Sequence, residues 1–401
     1  MHHTVLDAAF VQDPYPLYAR LRREAPVSRA VTATGLSVWL VTRYEDARAA
    51  LADPRLSKDA RRIREVLEIR GGVRVLDESI IEHMLNSDQP DHTRLRRLVG
   101  KAFTARRVEA LRPRIEEISA GLLDGINPDS EIDLLTAYAF PLPITVICAL
   151  LGIPDADHDA FRSWSNTIVT NSEPEEFERA QSGLVAYLVQ LIDRKRREPG
   201  EDMLSALVAA RDDGDQLSER ELLAMVFLLL VAGHETTVNL IANGVLALLR
   251  HPDQMARLRA DLGLLPSAVE EFLRYESPVN MATFRVTAEP VRIGEVEIPA
   301  EEVVLVSLGS ANRDGDRYGD PDQLVIDRGL GGHLAFGHGI HYCLGAPLAR
   351  LEAEIAFRDL LTRFGRIELA PGRELRWRDS QLMRGLVELP VRLTPAEVNA
   401  R

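Results

Sequence analysis

One cysteine in a glycine-rich loop carries the strongest chemical signal in the sequence. Cys343 lies in the segment FGHGIHYCLGAP, which has glycines on both sides of it. Pro347 suits the first turn of a helix, and residues with helical spacing follow from Leu348 to Phe357. We therefore predict that Cys343 lies at a helix N-terminus, where partial positive charge and unpaired backbone amides favour the thiolate. The glycines would let those amides approach the sulfur, and such a sulfur suits a soft metal such as haem iron.

The same loop allows three other interpretations. Cys343 could be a nucleophile paired with His338 or His341. It could join His333 and these two histidines in a zinc site, although the paired-ligand spacing of most zinc sites is absent. It could also be inert, since a free cysteine is often simply buried. The second cysteine, Cys148, lies in an apolar helical segment and is interpreted as a small core residue.

A long apolar helix is the clearest element that could face this loop. Ser218 and Glu221 have the spacing of a capping box, and Pro252 disfavours helix at the residue before it. We predict a helix over 219–250, roughly 48 Å long at ~1.5 Å per residue. Because it is apolar nearly all round, it must pass through the middle of the protein.

The segment GHETT at 233–237 lies at the centre of that helix. Glycine is a poor helix former and threonine hydroxyls can bond back to carbonyls four residues earlier, so a local distortion is expected. One interpretation is a packing glycine with back-bonded threonines. The other is a proton-delivery site, because a buried carboxylate and hydroxyl need partners.

Composition limits the remaining possibilities. Several segments have helical spacing, among them 108–123, and strand signals are fewer and late, at 291–298, 303–308 and 386–393. We therefore predict one large, mainly α domain of the α+β class over residues 1–401. The formal charge of −13 argues against a nucleic-acid partner, and two cysteines exclude a disulfide framework. No apolar stretch of ~20 residues and no secretory signal is apparent, which predicts a cytoplasmic protein without a membrane segment.

Three motifs in order resemble the cytochromes P-450, the thiolate-haem monooxygenases. The loop fits FxxGxxxCxG, the GHETT segment matches the family's oxygen-activating segment, and residues 271–274 match its ExxR signature. Similarity extends over nearly the whole chain and is closest to soluble actinobacterial enzymes that hydroxylate macrolides, steroids or secosteroids. The loop residues concerned are Phe336, Gly339, Cys343 and Gly345.

The resemblance implies a role for each matched residue. Cys343 would be the axial thiolate ligand of haem b, while Glu235 and Thr236 would be the acid and alcohol that relay protons. Glu271 and Arg274 would form a structural network with Arg328. The residues matching the family's contacts to the haem propionates are His92, Arg96, Arg285 and His341.

Two positions depart from the family pattern. The segment 323–327 lacks the phenylalanine that relatives usually have before aspartate, which puts the local packing in doubt. Glu301 stands where relatives usually have glycine, so it would carry backbone strain if that position needs a positive φ.

The resemblance also implies external partners. Since no flavin- or NAD-binding glycine motif is present, electrons would come from a ferredoxin-type protein with an NAD(P)H-dependent reductase. We expect a monomer whose docking patch is basic and attracts an acidic redox protein. The patch would comprise Arg94, Arg97, Lys101, Arg106 and Arg107.

The predicted activity is regioselective hydroxylation, with epoxidation as a variant, of a bulky macrolide or steroid-like compound in secondary metabolism. An apolar pocket suits such a substrate, and Asn280 or Thr283 would orient a hydroxyl or carbonyl. The alternatives are a peroxide-driven thiolate-haem enzyme and a non-catalytic haem- or zinc-binding sensor. The predicted pocket regions are 56–85, 161–180, 228–232, 279–283 and 382–383.

Overall fold

The computed structural model describes residues 4–70, 78–127, 130–169, 173–210, 214–329 and 331–396. Helices dominate the described chain, as the sequence predicts. The helices are α1 (Ala8–Gln12), α2 (Tyr15–Glu24), α3 (Tyr44–Ala52), α4 (Ala60–Ile69), α5 (Glu78–Ile81), α6 (Asp91–Ala102), α7 (Ala105–Ala110), α8 (Arg112–Asp124), α9 (Pro141–Leu151), α10 (His158–Val169), α11 (Pro174–Arg197), α12 (Met203–Ala209), α13 (Glu219–Arg250), α14 (Pro252–Ala260), α15 (Leu265–Tyr275), α16 (Leu308–Ala311) and α17 (Ala346–Arg363).

The strands form small sheets beside the helices. They are β1 (Thr4–Leu6), β2 (Val27–Thr32), β3 (Ser37–Val41), β4 (Leu56–Ser57), β5 (Glu131–Asp133), β6 (Arg285–Thr287), β7 (Val291–Ile293), β8 (Val296–Ile298), β9 (Val303–Val306), β10 (Phe364–Leu369) and β11 (Pro390–Pro395). The largest sheet has the order β1-β2-β3-β9-β6-β4, and a second has the order β10-β11-β5. The pair β7-β8 is a separate antiparallel hairpin.

The central helix α13 forms over the predicted span. The Ser218 hydroxyl accepts a hydrogen bond from the Glu221 amide, and the Glu221 carboxylate accepts one from the Ser218 amide, which completes the capping box. Most of its residues from Leu222 to Leu248 are buried among the surrounding helices. By length and composition α13 could cross a membrane, but 72% of its apolar window is buried inside the protein.

Two details of α13 differ from the expectation or refine it. The helix is continuous through 233–237, so the predicted local distortion is absent from this described segment. Gly233 allows close packing, because a Cβ there would lie 3.0 Å from Ile147 Cδ1 on α9. The Thr236 hydroxyl donates to the Ala232 carbonyl at 3.0 Å, the back-bonding that the sequence suggested.

Several boundaries differ from the sequence prediction. The expected helix over 108–123 is two helices, α7 and α8, because Pro113 begins a new helix rather than continuing one. The expected strand over 291–298 is the β7-β8 hairpin, which turns at Gly294 with φ +55°. The strand expected over 386–393 begins and ends later along the chain, as β11.

The N-terminal strands are the main element that the sequence interpretation missed. In the large sheet, β2 pairs antiparallel with β3 and β3 pairs parallel with β9, so early and late segments lie side by side. This arrangement extends the sheet next to α3, which contacts the cysteine loop.

The two departures from the family pattern have clear structural outcomes. Glu301 has φ +58°, so the predicted backbone strain is present. Its carboxylate pairs with Arg62 at 3.3 Å on the surface. In the segment without phenylalanine, Leu324 and Ile326 are buried and fill the core, so the local packing is maintained by aliphatic side chains.

Candidate functional site

The loop that carries Cys343 is shaped by tight turns. Gly337 and Gly339 have φ values of +73° and +74°, which favour glycine. The Cys343 amide donates to the Phe336 carbonyl at 2.9 Å, which closes the loop. Helix α17 begins shortly after it with Pro347 in its first turn, as predicted.

The glycines of this loop have different functions. A Cβ on Gly339 would lie 3.1 Å from the Leu51 carbonyl oxygen, so this glycine lets the loop dock closely on α3. A Cβ on Gly345 would lie 3.8 Å from the Cys343 sulfur, an ordinary contact distance. The expectation that the glycines all serve access to the sulfur is therefore wrong for Gly339.

The protonation of Cys343 depends on two opposing effects. Burial raises the pKa of the Cys343 thiol, whereas hydrogen bonds from the Gly345 and Ala346 amides and the charges of Arg96 and Arg350 lower it. Burial is the largest of these effects, while the amides at the start of α17 favour the thiolate, as the sequence analysis expects. A metal ion bound to the sulfur would favour the thiolate further.

An apolar cavity of about 290 Å³ separates α13 from the cysteine loop. Cys343 lines one side and Thr236 lines the α13 side. The other lining residues that matter for the site are Lys58, Leu85, His92, Arg96, Leu228, Ala232, Val279, Thr283, Arg285 and His341.

All four predicted propionate contacts line this cavity. The rings of His92 and His341 meet edge to face with centroids 4.5 Å apart. Both ring nitrogens of His92 and Nε of Arg285 are buried and have no hydrogen-bond partner within the described part of the chain. Buried donors without acceptors fit an incoming anionic group, so these residues suit the carboxylates of a haem.

The histidines of this group are neutral donors around pH 7. Burial, together with the charge of Arg96, lowers the pKa of His92. Burial and the charges of Lys58, Arg285, His92 and Arg96 lower the pKa of His341 to about 2. The permanent positive charge therefore comes from the arginines. Burial and the charge of Arg285 lower the pKa of Lys58, a further cavity residue that the sequence interpretation did not single out.

The two proposed proton-relay residues point to different surroundings. Thr236 faces the cavity, whereas Glu235 is not among the cavity-lining residues that the structure describes. Glu235 is 3% exposed and pairs with Arg378, whose Nε also donates to the Leu386 carbonyl at 3.1 Å. Sequence spacing gave no signal for Arg378, because it lies 143 residues after Glu235.

The network predicted from the ExxR motif is present. Arg274 pairs with both carboxylate oxygens of Glu271, at 2.7 and 2.8 Å. Arg328 Nε reaches Glu271 Oε1 at 3.2 Å. Arg274 also donates to the carbonyls of Asn312 and Pro321, so the motif ties α15 to the segment after α16.

A second charged network contacts the cysteine loop at Phe336. Glu270 accepts hydrogen bonds from Arg350 at 2.6 and 3.0 Å and lies 3.1 Å from His333 Nε2. The Arg350 guanidinium lies 4.6 Å from the centre of the Phe336 ring. His333, weighed as a zinc ligand, is thus engaged by a carboxylate, and the described residues contain no group of three or more potential metal ligands.

The predicted substrate-facing regions are only partly correct. Leu228, Val279 and Thr283 line the cavity, but Leu382, Met383 and the described residues of 161–180 do not. Part of the predicted region 56–85, residues 71–77, lies outside the described residues.

Asn280 is not available to a substrate. It is buried, accepts a hydrogen bond from the Tyr18 hydroxyl at 2.9 Å and donates to the Gln381 carbonyl at 3.2 Å. The expectation that Asn280 orients a substrate is therefore wrong, because its amide already holds the N-terminal helix α2 against the chain near residue 381.

The predicted basic patch loses one member. Arg94 is half-buried and pairs with Asp215 at 3.2 Å and with Glu221 at the start of α13. Its charge therefore ties α6 to the central helix. Arg97, Lys101, Arg106 and Arg107 are exposed on and after α6.

Comparisons with known proteins agree with this arrangement. The sequence profile of the family described as Cytochrome P450 matches residues 154–394. Cytochrome P450 107B1 of Saccharopolyspora erythraea is 58% identical over 391 residues, which are 96% of each chain. The structure of the tirandamycin C-bound P450 monooxygenase TamI is 51% identical, with a TM-score of 0.90, over 98% of this chain and 100% of that one.

Two further relatives are named for their substrates. Vitamin D(3) 25-hydroxylase of Pseudonocardia autotrophica is 49% identical over 98% of this chain and 97% of its own length. Mycinamicin IV hydroxylase/epoxidase of Micromonospora griseorubida is 45% identical over 93% of this chain and 94% of its own length.

Proposed function

This chain belongs to the cytochrome P450 family, and we propose that it inserts one oxygen atom from O₂ into a macrolide-like polyketide. It is a monooxygenase, and like its family it carries haem b with a cysteine thiolate as axial ligand. The observation that carries the proposal is the apolar cavity, which Cys343 lines on one side and Thr236 on the other.

We propose that Cys343 is the axial ligand and that Phe336, Gly339 and Gly345 shape its loop. Cys148 is buried in α9 and lines no part of the cavity among the described residues, which leaves Cys343 as the candidate. The haem supplies the oxygen-activating chemistry when it is bound. His92, Arg96, Arg285 and His341 would hold its propionates, because their donors face the cavity.

The distal side of the cavity would deliver protons. The Thr236 hydroxyl, bonded to the Ala232 carbonyl, can accept a hydrogen bond from water in the cavity while it stays in place. Glu235 would pass protons to this region from the side of Arg378, which is partly exposed. Such a relay favours O₂ over peroxide as the oxidant, since a peroxide user has less need of protons.

The residues that line the cavity and the similarity to known proteins both support a macrolide-like substrate. The cavity wall is mainly aliphatic, with Thr283 as a polar group, which suits a bulky molecule with few polar anchors. The tirandamycin-bound structure and the mycinamicin hydroxylase/epoxidase are similar over most of the chain. Vitamin D(3) 25-hydroxylase is similar as well, so a secosteroid is the second candidate.

P450 enzymes of this kind use a small substrate and redox partners. We propose a ferredoxin with its NAD(P)H-dependent reductase as the electron source. The patch of Arg97, Lys101, Arg106 and Arg107 would attract the acidic ferredoxin. We further propose a cytoplasmic monomer in which residues 1–401 form one domain.

The experiment is turnover with ferredoxin, reductase and NADPH under ¹⁸O₂, followed by mass spectrometry. The substrates are a set of macrolactones and, in parallel, vitamin D₃ and a steroid. A macrolactone product that carries one ¹⁸O atom is the expected result. If only vitamin D₃ gives a product, the substrate is a secosteroid and not a macrolide-like polyketide. Oxidation with hydrogen peroxide but not with ferredoxin would contradict the use of O₂.

A further inference from the structure

Lys58 is the most deeply buried cation among the described residues of the cavity wall. It is 1% exposed and follows strand β4. Its amide donates to Asp88 Oδ1 at 2.9 Å, which fixes the backbone, and its Nζ donates to the Thr283 hydroxyl. An ammonium has three donors, and a neutral hydroxyl does not compensate its charge. Lys58 therefore faces the cavity with unused donors.

The position of Lys58 is close to the predicted propionate contacts. Thr283 lies two residues before Arg285, the first residue of β6, and both residues line the cavity. Arg285 lies close enough for its charge to act on Lys58, and His341 lines the cavity beside them. All four residues line the same cavity.

The fixed charges of this region balance when Lys58 is included. The lysine and arginine side chains of the cavity wall are Lys58, Arg96 and Arg285. Burial lowers the pKa of Lys58 well below its ordinary value, so its charged form needs an anion close by. Asp88 is a carboxylate whose charge acts on Lys58 and Arg285. Haem b adds two propionates, so three cations would then meet three carboxylates, as a buried site requires.

We propose that Lys58 is a further cofactor-binding residue, whose ammonium is positioned by Thr283 and binds a propionate of the haem. This inference rests on the haem and not on the identity of the substrate. A carboxylate of a substrate has the same chemistry, but the charge balance and the position beside Arg285 favour the propionate.

The test measures how fast the ferric holoprotein loses its haem to excess apomyoglobin, followed by absorbance. Lys58→Met should release haem about tenfold faster than the wild type, since a hydrogen bond to a charged group is lost. Lys58→Arg should release it at nearly the wild-type rate, and Thr283→Val at an intermediate rate. The matched control is Arg292→Met, which removes an exposed cation far from this cavity wall and should leave the rate of haem release unchanged.

A second measurement separates the two sources of the carboxylate. Dodecanoic acid and dodecanol are titrated into each variant, and the ratio of their dissociation constants is taken from the spectral shift. We expect this ratio to be the same in Lys58→Met and the wild type. If Lys58→Met releases haem at the wild-type rate, the proposal is overturned. If this variant has in addition lost the preference for dodecanoic acid over dodecanol, Lys58 binds a carboxylate of the substrate instead. If Lys58→Met gives no holoprotein, Lys58→Gln and Thr283→Val serve for the same comparison.

Discussion

Arg378 and Glu235 form an ion pair, and Glu235 directly precedes Thr236, which faces the cavity. Arg378 Nη1 bonds Glu235 Oε1, while Glu235 Oε2 is buried without a hydrogen-bond partner within the described ranges. The Arg378 side chain is 21% exposed and that of Glu235 is 4% exposed. The pair therefore connects a buried acid on α13 with the outer side of the protein.

Removal of Arg378 should destabilise the protein. Arg378→Met leaves the Glu235 carboxylate buried without its cation, which should lower the free energy of unfolding by about 3 kcal/mol. Chemical denaturation measures this loss. Arg376→Met, an exposed neighbour, is the control. The double variant Glu235→Gln/Arg378→Met should recover part of the stability, and a single variant as stable as the wild type would contradict the importance of the pair.

The Thr236 hydroxyl should control how electrons are used. Thr236→Ala should still bind substrate but divert electrons to hydrogen peroxide, because the cavity loses the Thr236 hydroxyl that would deliver protons. The measurement is the amount of product and of peroxide for each NADPH consumed. Thr236→Ser keeps the hydroxyl and should remain close to the wild type. Product yield per NADPH unchanged in the alanine variant would argue against proton delivery through Thr236.

Glu270 should make stability sensitive to acid. Burial would raise its pKa, but hydrogen bonds from His333 and Arg350 lower it from 4.5 to about 2. A depressed pKa contributes stability that is present above the unfolded value and is lost as the pH falls from about 4.5 to about 2.

Denaturation of Glu270→Gln at several pH values tests this linkage. The variant should be less stable than the wild type at pH 7, and the difference should shrink below about pH 4.5. Glu117→Gln, which alters an exposed pair on α8, should show no such trend. A difference in stability between Glu270→Gln and the wild type that stays constant with pH would refute the lowered pKa of Glu270.

The exposed charges near α6 should affect the rate of electron transfer. Reversal of Arg97 and Lys101 to glutamate should slow reduction by ferredoxin at low salt, with the gap closing at high salt. The control double variant Arg292→Glu/Arg376→Glu changes net charge equally at other exposed positions. Equal rates in the reversed and wild-type proteins would eliminate this docking surface.

The features that the sequence predicted well depend on neighbouring residues. The Ser218–Glu221 capping box and the helix after Cys343 are local patterns, and both are present. The ExxR pair also follows from helical spacing. Such features need no knowledge of the tertiary structure, because their geometry is set within one or two turns.

The missed features depend on long-range contacts. Lys58 meets Thr283 across 225 positions, so no local pattern identifies either as a partner. The amide of Asn280 is occupied by Tyr18, 262 positions away, which removed a predicted substrate contact. The short strand β2 was missed because it is recognisable only when paired with β3.

The most direct test of the account is the absorption spectrum of the reduced protein with carbon monoxide, recorded for the wild type and two cysteine variants. The wild type and Cys148→Ala should have the red-shifted Soret band of a thiolate-ligated haem. Cys343→Ser should lose that band. A band typical of an imidazole ligand in the wild type, or a thiolate band that persists in Cys343→Ser, would contradict the assignment of Cys343 as the ligand.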